Sequence, residues 1–146
     1  TFESHVRATG HREFDALFVQ WFSLLIDDPL LSARIGKDFG VVLQQNGYDT
    51  AFENLSGGER TASALAYRLA LNRVVNDLVG TINTKDLLIL DEPTDGFSAE
   101  QLEKVRDVLR ELRCKQVLLV SHEAALEGFV DTVLRVQKHE HTSGVA

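Results

Sequence analysis

The stretch Leu87–Thr94 reads Leu-Leu-Ile-Leu-Asp-Glu-Pro-Thr, four apolar residues followed at once by two carboxylates. A continuous apolar run of this length is typical of a strand that is buried on both faces of a parallel sheet. Buried strands also end in acids for solubility alone, but Pro93-Thr94 and a second polar-tipped strand favour a functional site. Asp91 is a candidate Mg²⁺ ligand, acting through water. Glu92 is a candidate base that orients or deprotonates an attacking water.

A second apolar run, Val117–Val120, ends in Ser121-His122. Between the two runs, Ser98 and Gln101 have the spacing of a capping box and predict a helix. That helix has apolar residues on one side, at Leu102, Val105, Val108, Leu109 and Leu112. A strand–helix–strand unit of this length makes the two strands parallel, and ligands bind beyond the carboxyl ends of such strands. We therefore expect Asp91, Glu92 and His122 on one rim. Its place there makes His122 a candidate contact for a γ-phosphate, although a histidine after a strand is more often a satisfied surface residue.

Upstream, Asn54–Arg60 reads Asn-Leu-Ser-Gly-Gly-Glu-Arg. Ser56 and Glu59 again have capping-box spacing and predict the start of a helix. A bare Ser-Gly-Gly most often marks an ordinary capped helix, but its place upstream of the Asp-Glu strand favours an anion site. Ser56 would donate its hydroxyl to a phosphate oxygen, while Gly57 and Gly58 let the backbone approach that anion. Glu59 would serve mainly as the capping partner. The predicted apolar face of this helix comprises Leu65, Leu69, Leu71, Val75 and Leu78, with Gly80 as a plausible stop.

The remaining elements are predicted from periodicity and turn signals. A three-and-four spacing predicts an amphipathic helix over about His11–Ile26, with apolar positions at Phe14, Leu17, Phe18, Trp21, Leu24 and Leu25 and an end at Asp27-Asp28-Pro29. Two short strands, Ala33–Ile35 and Val41–Gln45, are joined by Gly36–Gly40, and Asn46-Gly47 turns the chain back at Tyr48. The C-terminal part reads as a short helix from Glu123 to about Phe129, a strand at Thr132–Val136 and a loose polar tail, Lys138–Ala146.

Composition limits the classes of function. With 146 residues, 44% of them hydrophobic, the chain can form one domain with a buried core. Its net charge of −7 argues against a surface that grips nucleic acid by itself. The single cysteine, Cys114, cannot form an internal disulfide, and no apolar run reaches the length of a membrane span, so we expect a cytoplasmic protein. The sequence contains no methionine, and we expect it to be a piece of a longer protein with further residues before Thr1.

From about residue 30 onwards, the chain resembles the C-terminal ATPase lobe of the SMC-like coiled-coil ABC ATPases. Ser56–Glu59 resembles their signature motif, and Leu87–Glu92 resembles their Walker B motif. Glu59 stands where most ABC transporters have glutamine, and Arg60–Lys85 is longer than the corresponding transporter segment. The chain lacks a P-loop, the phosphate-cradling motif that such an ATPase also needs. Within the family, it is most similar to the member that works with a nuclease in DNA double-strand-break repair.

The resemblance implies an α/β fold with a parallel sheet core flanked by helices and a small β-hairpin. Residues 1–28 would be the end of a coiled coil, and 29–146 would be the lobe. The implied cofactors are ATP and Mg²⁺. Implied partners are an N-terminal P-loop lobe of the same protein, a second head, a repair nuclease, and DNA through the assembled complex, in the cytoplasm at the nucleoid or in a nucleus. No membrane partner is expected.

The resemblance also divides the site residues between two heads. Asp91, Glu92 and His122 would serve the nucleotide of their own head, while Ser56, Gly57 and Gly58 would reach the γ-phosphate in the other. Asp95 and Gly96 fall in the D-loop, which lies at that contact between heads. Here the usual leucine–aspartate of the D-loop is replaced by Phe97-Ser98.

Three other interpretations stay open at this point. The lobe could come from a chromosome-organising SMC protein, because the coiled coil that would discriminate the two is missing from the sequence. A transporter ATPase fragment is disfavoured by the long signature helix. A non-catalytic interaction module with the same fold is disfavoured because Ser56, Asp91, Glu92 and His122 are all present.

Overall fold

The computed structural model describes residues 2–78, 86–112, 114–139 and 142–145. The order of its elements is α1 (Phe2–Leu25), β1 (Leu31–Ile35), β2 (Val41–Gln45), β3 (Tyr48–Thr50), a 3₁₀ helix (Phe52–Asn54), α2 (Gly57–Leu78), β4 (Leu87–Asp91), α3 (Ala99–Glu111), β5 (Gln116–Val120), a 3₁₀ helix (Ala124–Phe129), β6 (Val136–His139) and β7 (Thr142–Val145). Among these residues, no helix is long and apolar enough to cross a membrane. The architecture is α/β, as predicted.

Helices α1 and α2 pack against each other and form much of the core. Large side chains of α1, among them Phe14, Phe18, Trp21, Phe22 and Leu25, are buried. From α2, the small residues Ala62, Ala66 and Ala70 are fully buried, and Phe14 meets the ring of Tyr67 edge-on at 4.9 Å. A methyl group placed on Gly10 would approach Leu78 to 2.9 Å, so the start of α1 lies beside the end of α2. The two helices are therefore antiparallel, with bulky residues of one against small residues of the other.

Both predicted helices are present, but the start of α1 and part of each buried face differ from the prediction. In α1, Leu24 is exposed and Phe22 takes its place in the core, and the helix begins at Phe2 rather than near His11. In α2, three predicted core residues, Leu71, Val75 and Leu78, are exposed. The alanines that replace them are short enough for α1 to approach closely, a preference that a pattern of large apolar residues does not reveal. Gly80, the predicted stop, lies outside the described residues.

The strands β1, β2 and β3 form an antiparallel sheet in that order. Strand β1 begins two residues earlier than predicted, whereas β2 has the predicted bounds. The turn Asn46-Gly47 is confirmed, since both residues have positive φ, 54° and 81°, as a tight hairpin requires. The predicted return of the chain at Tyr48 forms the third strand, β3.

Strands β4 and β5 are parallel, with Asp91 opposite Val120, and α3 connects them as predicted. Only one face of the pair is covered. Leu88 and Leu90 are buried, but Leu87, Ile89, Leu118 and Val120 are exposed, Ile89 to 61%. The expectation of a strand buried on both faces is wrong for this chain by itself. No described residue covers the second face of the pair.

The C-terminal segment differs most from expectation. The predicted strand Thr132–Val136 is wrong, because residues 132–135 are not strand and Val133 and Leu134 are exposed. The predicted loose tail instead contains β6 and β7, which form an antiparallel hairpin. Strand pairing rests on backbone hydrogen bonds, so a polar segment can also form paired strands.

Candidate nucleotide site

The backbone turns sharply where β4 ends. Glu92 has φ of 44°, a left-handed conformation that costs a residue with a side chain roughly 1–2 kcal/mol. Its N–H donates a hydrogen bond of 2.8 Å to the carbonyl oxygen of Val120, the last residue of β5. Because this bond joins the two strand ends, the Glu92 carboxylate projects over the segment that follows β5. Strain of this kind is concentrated at functional sites.

His122 lies within hydrogen-bond distance of Glu92. Its Nδ1 is 3.1 Å from Glu92 Oε2, and both side chains are exposed, to 69% and 41%. The hydrogen bond to Glu92 and the negative charge of that carboxylate raise the pKa of His122, and Glu123 and Asp95 add to the rise. The structure thus brings Glu92 and His122 together, on the predicted rim at the carboxyl end of the parallel pair.

This contact predicts a titration result. His122 should titrate above pH 6.5 in the wild-type chain, because its protonated form is paired with a carboxylate. In Glu92→Gln the pKa should fall back towards the ordinary value. A raised pKa means that the pair stabilises the fold below the ordinary histidine pKa and that this contribution is lost as pH rises through the raised value. NMR of the histidine ring measures this pKa directly. Glu127→Gln, which removes a carboxylate paired with Arg135, is the control and should leave it unchanged. Equal pKa values in wild type and Glu92→Gln would contradict the contact.

The signature segment forms the predicted capping box. The N–H of Ser56 donates to Glu59 Oε2 at 2.7 Å, and the N–H of Glu59 donates to Ser56 Oγ at 3.3 Å. Glu59 is therefore engaged as a capping partner. Gly57 is exposed, and a methyl group placed on it would meet no atom within 4 Å. The first turn of α2 thus presents open backbone N–H groups at the positive end of the helix, where an anion is favoured.

The D-loop packs directly against this segment. Gly96 has φ of 76°, and a methyl group placed on it would lie 3.6 Å from Gly57 C and from Gly58 N. A methyl group on Gly58 would lie only 3.0 Å from the carbonyl oxygen of Gly96. A side chain at Gly58 would therefore push the two loops apart.

Phe97-Ser98, where the sequence departs from the family, has a clear structural role. Ser98 is the N-cap of α3: its Oγ accepts from Gln101 N at 3.2 Å, and Ser98 N donates to Gln101 Oε1 at 3.0 Å. Phe97 is half-buried against the core. Serine caps helices as well as aspartate does, and phenylalanine fills an apolar position as leucine does, so the local fold tolerates both changes.

The oxygen-rich donors at this rim fit Mg²⁺. Among the described residues, no cluster of three or more His, Cys, Asp or Glu side chains could enclose a metal ion. Mg²⁺ is usually held by one or two carboxylates together with waters and phosphate oxygens, so a site with few protein ligands such as Asp91 is compatible with this ion. The open glycine surface of α2 likewise fits a phosphate.

One residue was missed by the sequence interpretation. Gln101 was identified as a helix cap, but its side chain also lies against the signature segment, 3.0 Å (Oε1) and 3.5 Å (Nε2) from a methyl group placed on Gly58. The capping spacing was the only signal in the sequence, and it is local to α3.

The chain is similar in sequence to curated DNA double-strand break repair ATPases. It is 32% identical over 120 residues to the DNA double-strand break repair Rad50 ATPase of Methanocaldococcus jannaschii. The matched region covers 82% of this chain and 11% of that protein. It is 41% identical over 108 residues to that of Thermococcus kodakarensis, covering 73% of this chain and 11% of that protein. The chain thus spans about a tenth of the length of the curated relatives it matches. No protein-family model matches it.

The fold is that of SMC heads. The SMC head domain from Thermotoga maritima matches with a TM-score of 0.64 and 18% identity, covering 98% of this chain and 51% of that one. The SMC head bound to the C-winged helix domain of ScpA matches with a TM-score of 0.70 and 19% identity, covering 93% and 42%. These similarities show the fold.

Proposed function

Since this chain belongs to the SMC-like ABC ATPases as the C-terminal lobe of a head, we propose that it supplies half of an ATP-binding and ATP-hydrolysing site in DNA double-strand-break repair. The observation that carries this proposal is the 3.1 Å contact between His122 and Glu92 beside Asp91, at the carboxyl ends of two parallel strands. The other half, an N-terminal lobe with the P-loop, would come from the same protein. Residues 1–28 would end the coiled coil, and 29–146 would form the lobe.

The residues would divide the work as follows. Asp91 would hold Mg²⁺, and bound Mg-ATP supplies the reactive phosphoanhydride. His122 is hydrogen-bonded to Glu92 Oε2. The other carboxylate oxygen of Glu92 has no hydrogen-bond partner among the described residues and would accept a proton from the attacking water. Ser56, Gly57 and Gly58 would donate hydrogen bonds to the γ-phosphate of the nucleotide in a second head. Asp95 and Gly96 would lie at the same contact between heads.

Because the site would be divided between two heads, hydrolysis would require the heads to associate. Donors from a second head are present only when two heads meet, so hydrolysis would be gated by ATP-driven dimerisation. The assembled heads would work with a repair nuclease and reach DNA through that complex, at the nucleoid or in a nucleus. The lobe itself carries a net charge of −7, which disfavours DNA binding by this lobe alone.

The exposed face of β4 and β5 supports a docked second lobe. Four apolar side chains, Leu87, Ile89, Leu118 and Val120, lie exposed on two adjacent parallel strands. Parallel sheets are almost always covered on both faces, and a contiguous apolar patch marks an interaction site. A P-loop lobe that covers this face would complete the sheet core.

Ile89→Lys tests this docking. A lysine in the middle of the apolar face would bury an unpaired charge on association, so binding of the P-loop lobe should weaken at least about a hundredfold. Calorimetry or co-elution with the separately purified P-loop lobe measures it. Leu30→Lys is the matched control, because Leu30 is exposed to a similar extent, 56% against 61%, but lies in the turn before β1. Equal binding of the two variants would remove this face from the lobe interface.

A chromosome-organising SMC head is the second candidate, favoured by the similarity to SMC head structures. That similarity has 18–19% identity, whereas the repair ATPases reach 32–41% over most of this chain. We therefore prefer the repair function. Specific binding of the assembled protein to a repair nuclease, rather than to a winged-helix domain, would decide between the two.

A further inference from the structure

We infer that Gln101 is a positioning residue that fixes the signature glycines relative to the D-loop. The signature and the D-loop would then approach the nucleotide of the opposing head in a fixed relative position. This inference rests on the proposed function. It concerns a residue outside the signature, Walker B and D-loop motifs, in the first turn of α3.

The side chain of Gln101 lies between two elements of the site. Its Oε1 accepts a hydrogen bond of 3.0 Å from the N–H of Ser98, which holds the end of the D-loop against α3. The same Oε1 lies 3.0 Å, and Nε2 lies 3.5 Å, from a methyl group placed on Gly58. The carboxamide is therefore tied to one loop and packed against the other.

Gly58 is held on two sides by this arrangement. The carbonyl oxygen of Gly96 is also 3.0 Å from the position of a Gly58 methyl group. Gly58 itself is half-buried, whereas Gly57 is exposed. The backbone of the signature thus rests on a surface made by Gly96 and the Gln101 carboxamide, and removal of the carboxamide would leave Gly58 free to shift.

The capping role and the positioning role can be separated within one capping box. Ser98 and Gln101 contribute reciprocal hydrogen bonds to the same helix start, but Gln101 supplies the side-chain atoms nearest to the position of a Gly58 methyl group. Ser98→Ala and Gln101→Ala should both lower the melting temperature by about 2–4 °C, since each removes half of the cap. Because Ser98 belongs to the D-loop, the control for head association is Gln20→Ala, which removes a carboxamide that donates a hydrogen bond of 2.8 Å to Glu111 at the other end of α3.

A positioning role predicts unequal effects on head association. In the complete head, with the P-loop lobe present, Gln101→Ala should weaken Mg-ATP-driven dimerisation about tenfold, whereas Gln20→Ala should change it less than about twofold. Affinity of a single head for ATP should be unchanged in both variants, because the contacts concerned are made to the other head. Sedimentation at several head concentrations gives the dimerisation constant, and a fluorescent ATP analogue gives the affinity for nucleotide.

A double-mutant comparison tests the contact itself. Gly58→Ala in the wild type must displace Gln101 as well as Gly96, whereas in Gln101→Ala it must displace Gly96 alone. The two substitutions should therefore be non-additive in the midpoint of chemical unfolding of the complete head.

Each outcome bears on a different claim. The inference is supported if wild-type heads dimerise, Gln101→Ala loses more affinity than Gln20→Ala, and Gln101→Ala and Gly58→Ala are non-additive. If wild-type heads dimerise but the two variants lose equal affinity for the second head, the inference is overturned and the proposed function stands. The same holds if Gly58→Ala and Gln101→Ala are additive. Wild-type heads that do not dimerise with Mg-ATP overturn the proposed function, and the role of Gln101 with it.

Discussion

Glu92→Gln is expected to lower ATP turnover by the assembled head about a thousandfold while ATP binding stays intact. Glutamine has nearly the same shape as glutamate but cannot accept a proton from water. The left-handed turn at Glu92 and its N–H bond to Val120 involve only the backbone, so the fold should be retained. With turnover blocked, the two heads should stay closed around ATP. Phosphate release measures turnover, and size-exclusion chromatography with light scattering measures the trapped dimer.

Glu127→Gln is the control for charge removal, since Glu127 pairs with Arg135 rather than with His122. It should hydrolyse ATP at the wild-type rate and form no trapped dimer. Normal turnover in Glu92→Gln would remove Glu92 from the role of base.

Ser56→Arg should abolish ATP-driven dimerisation, a loss of at least about a hundredfold in the dimerisation constant. Ser56 is exposed at the start of α2, beside the open backbone of Gly57. An arginine there would occupy the space of the γ-phosphate from the other head. ATP binding to the single head should persist, because this segment would not touch the nucleotide of its own head. Light scattering with and without Mg-ATP gives the result.

Ser32→Arg is the matched control, because Ser32 is exposed on β1 and the substitution adds the same bulk and charge. Dimerisation of the control should equal that of wild type. If Ser56→Arg also dimerises normally with ATP, the signature segment does not reach the second head.

Predictions that rest on local interactions agree with the structure. Both capping boxes, Ser56–Glu59 and Ser98–Gln101, form as their spacing indicates, because all the atoms concerned lie within one turn of helix. The turn at Asn46-Gly47 is likewise set by two residues that tolerate positive φ. The parallel pairing of β4 and β5 follows from the length of the connection between them.

Predictions of burial and strand pairing that depend on residues distant in sequence are partly wrong. The sequence predicts that Leu87 and Ile89 are buried, yet no described residue covers them. The apolar face of α2 was expected at Leu71 and Leu78, but α1 selects the alanines through close packing. Residues 132–135 of the strand expected at Thr132–Val136 are not strand, whereas Val136 begins β6, which pairs with β7.

In the candidate site, too, local features are predicted from the sequence and contacts between distant residues are not. The sequence placed Glu92 and His122 on one rim, because parallel strands end at the same edge, but their hydrogen bond depends on the left-handed turn at Glu92. The contact of Gln101 with Gly58 joins two helices far apart in the chain, and no spacing rule indicates it.

The most direct test of the split site is ATP hydrolysis by this chain alone and after mixing with a P-loop-bearing N-terminal lobe, with oligomer size followed with and without Mg-ATP. We predict no hydrolysis by the chain alone, and hydrolysis and dimerisation together in the mixture. Circular dichroism and co-elution would establish that both lobes are folded and associated. Hydrolysis by the isolated chain, or none in a folded and associated mixture, would contradict the account.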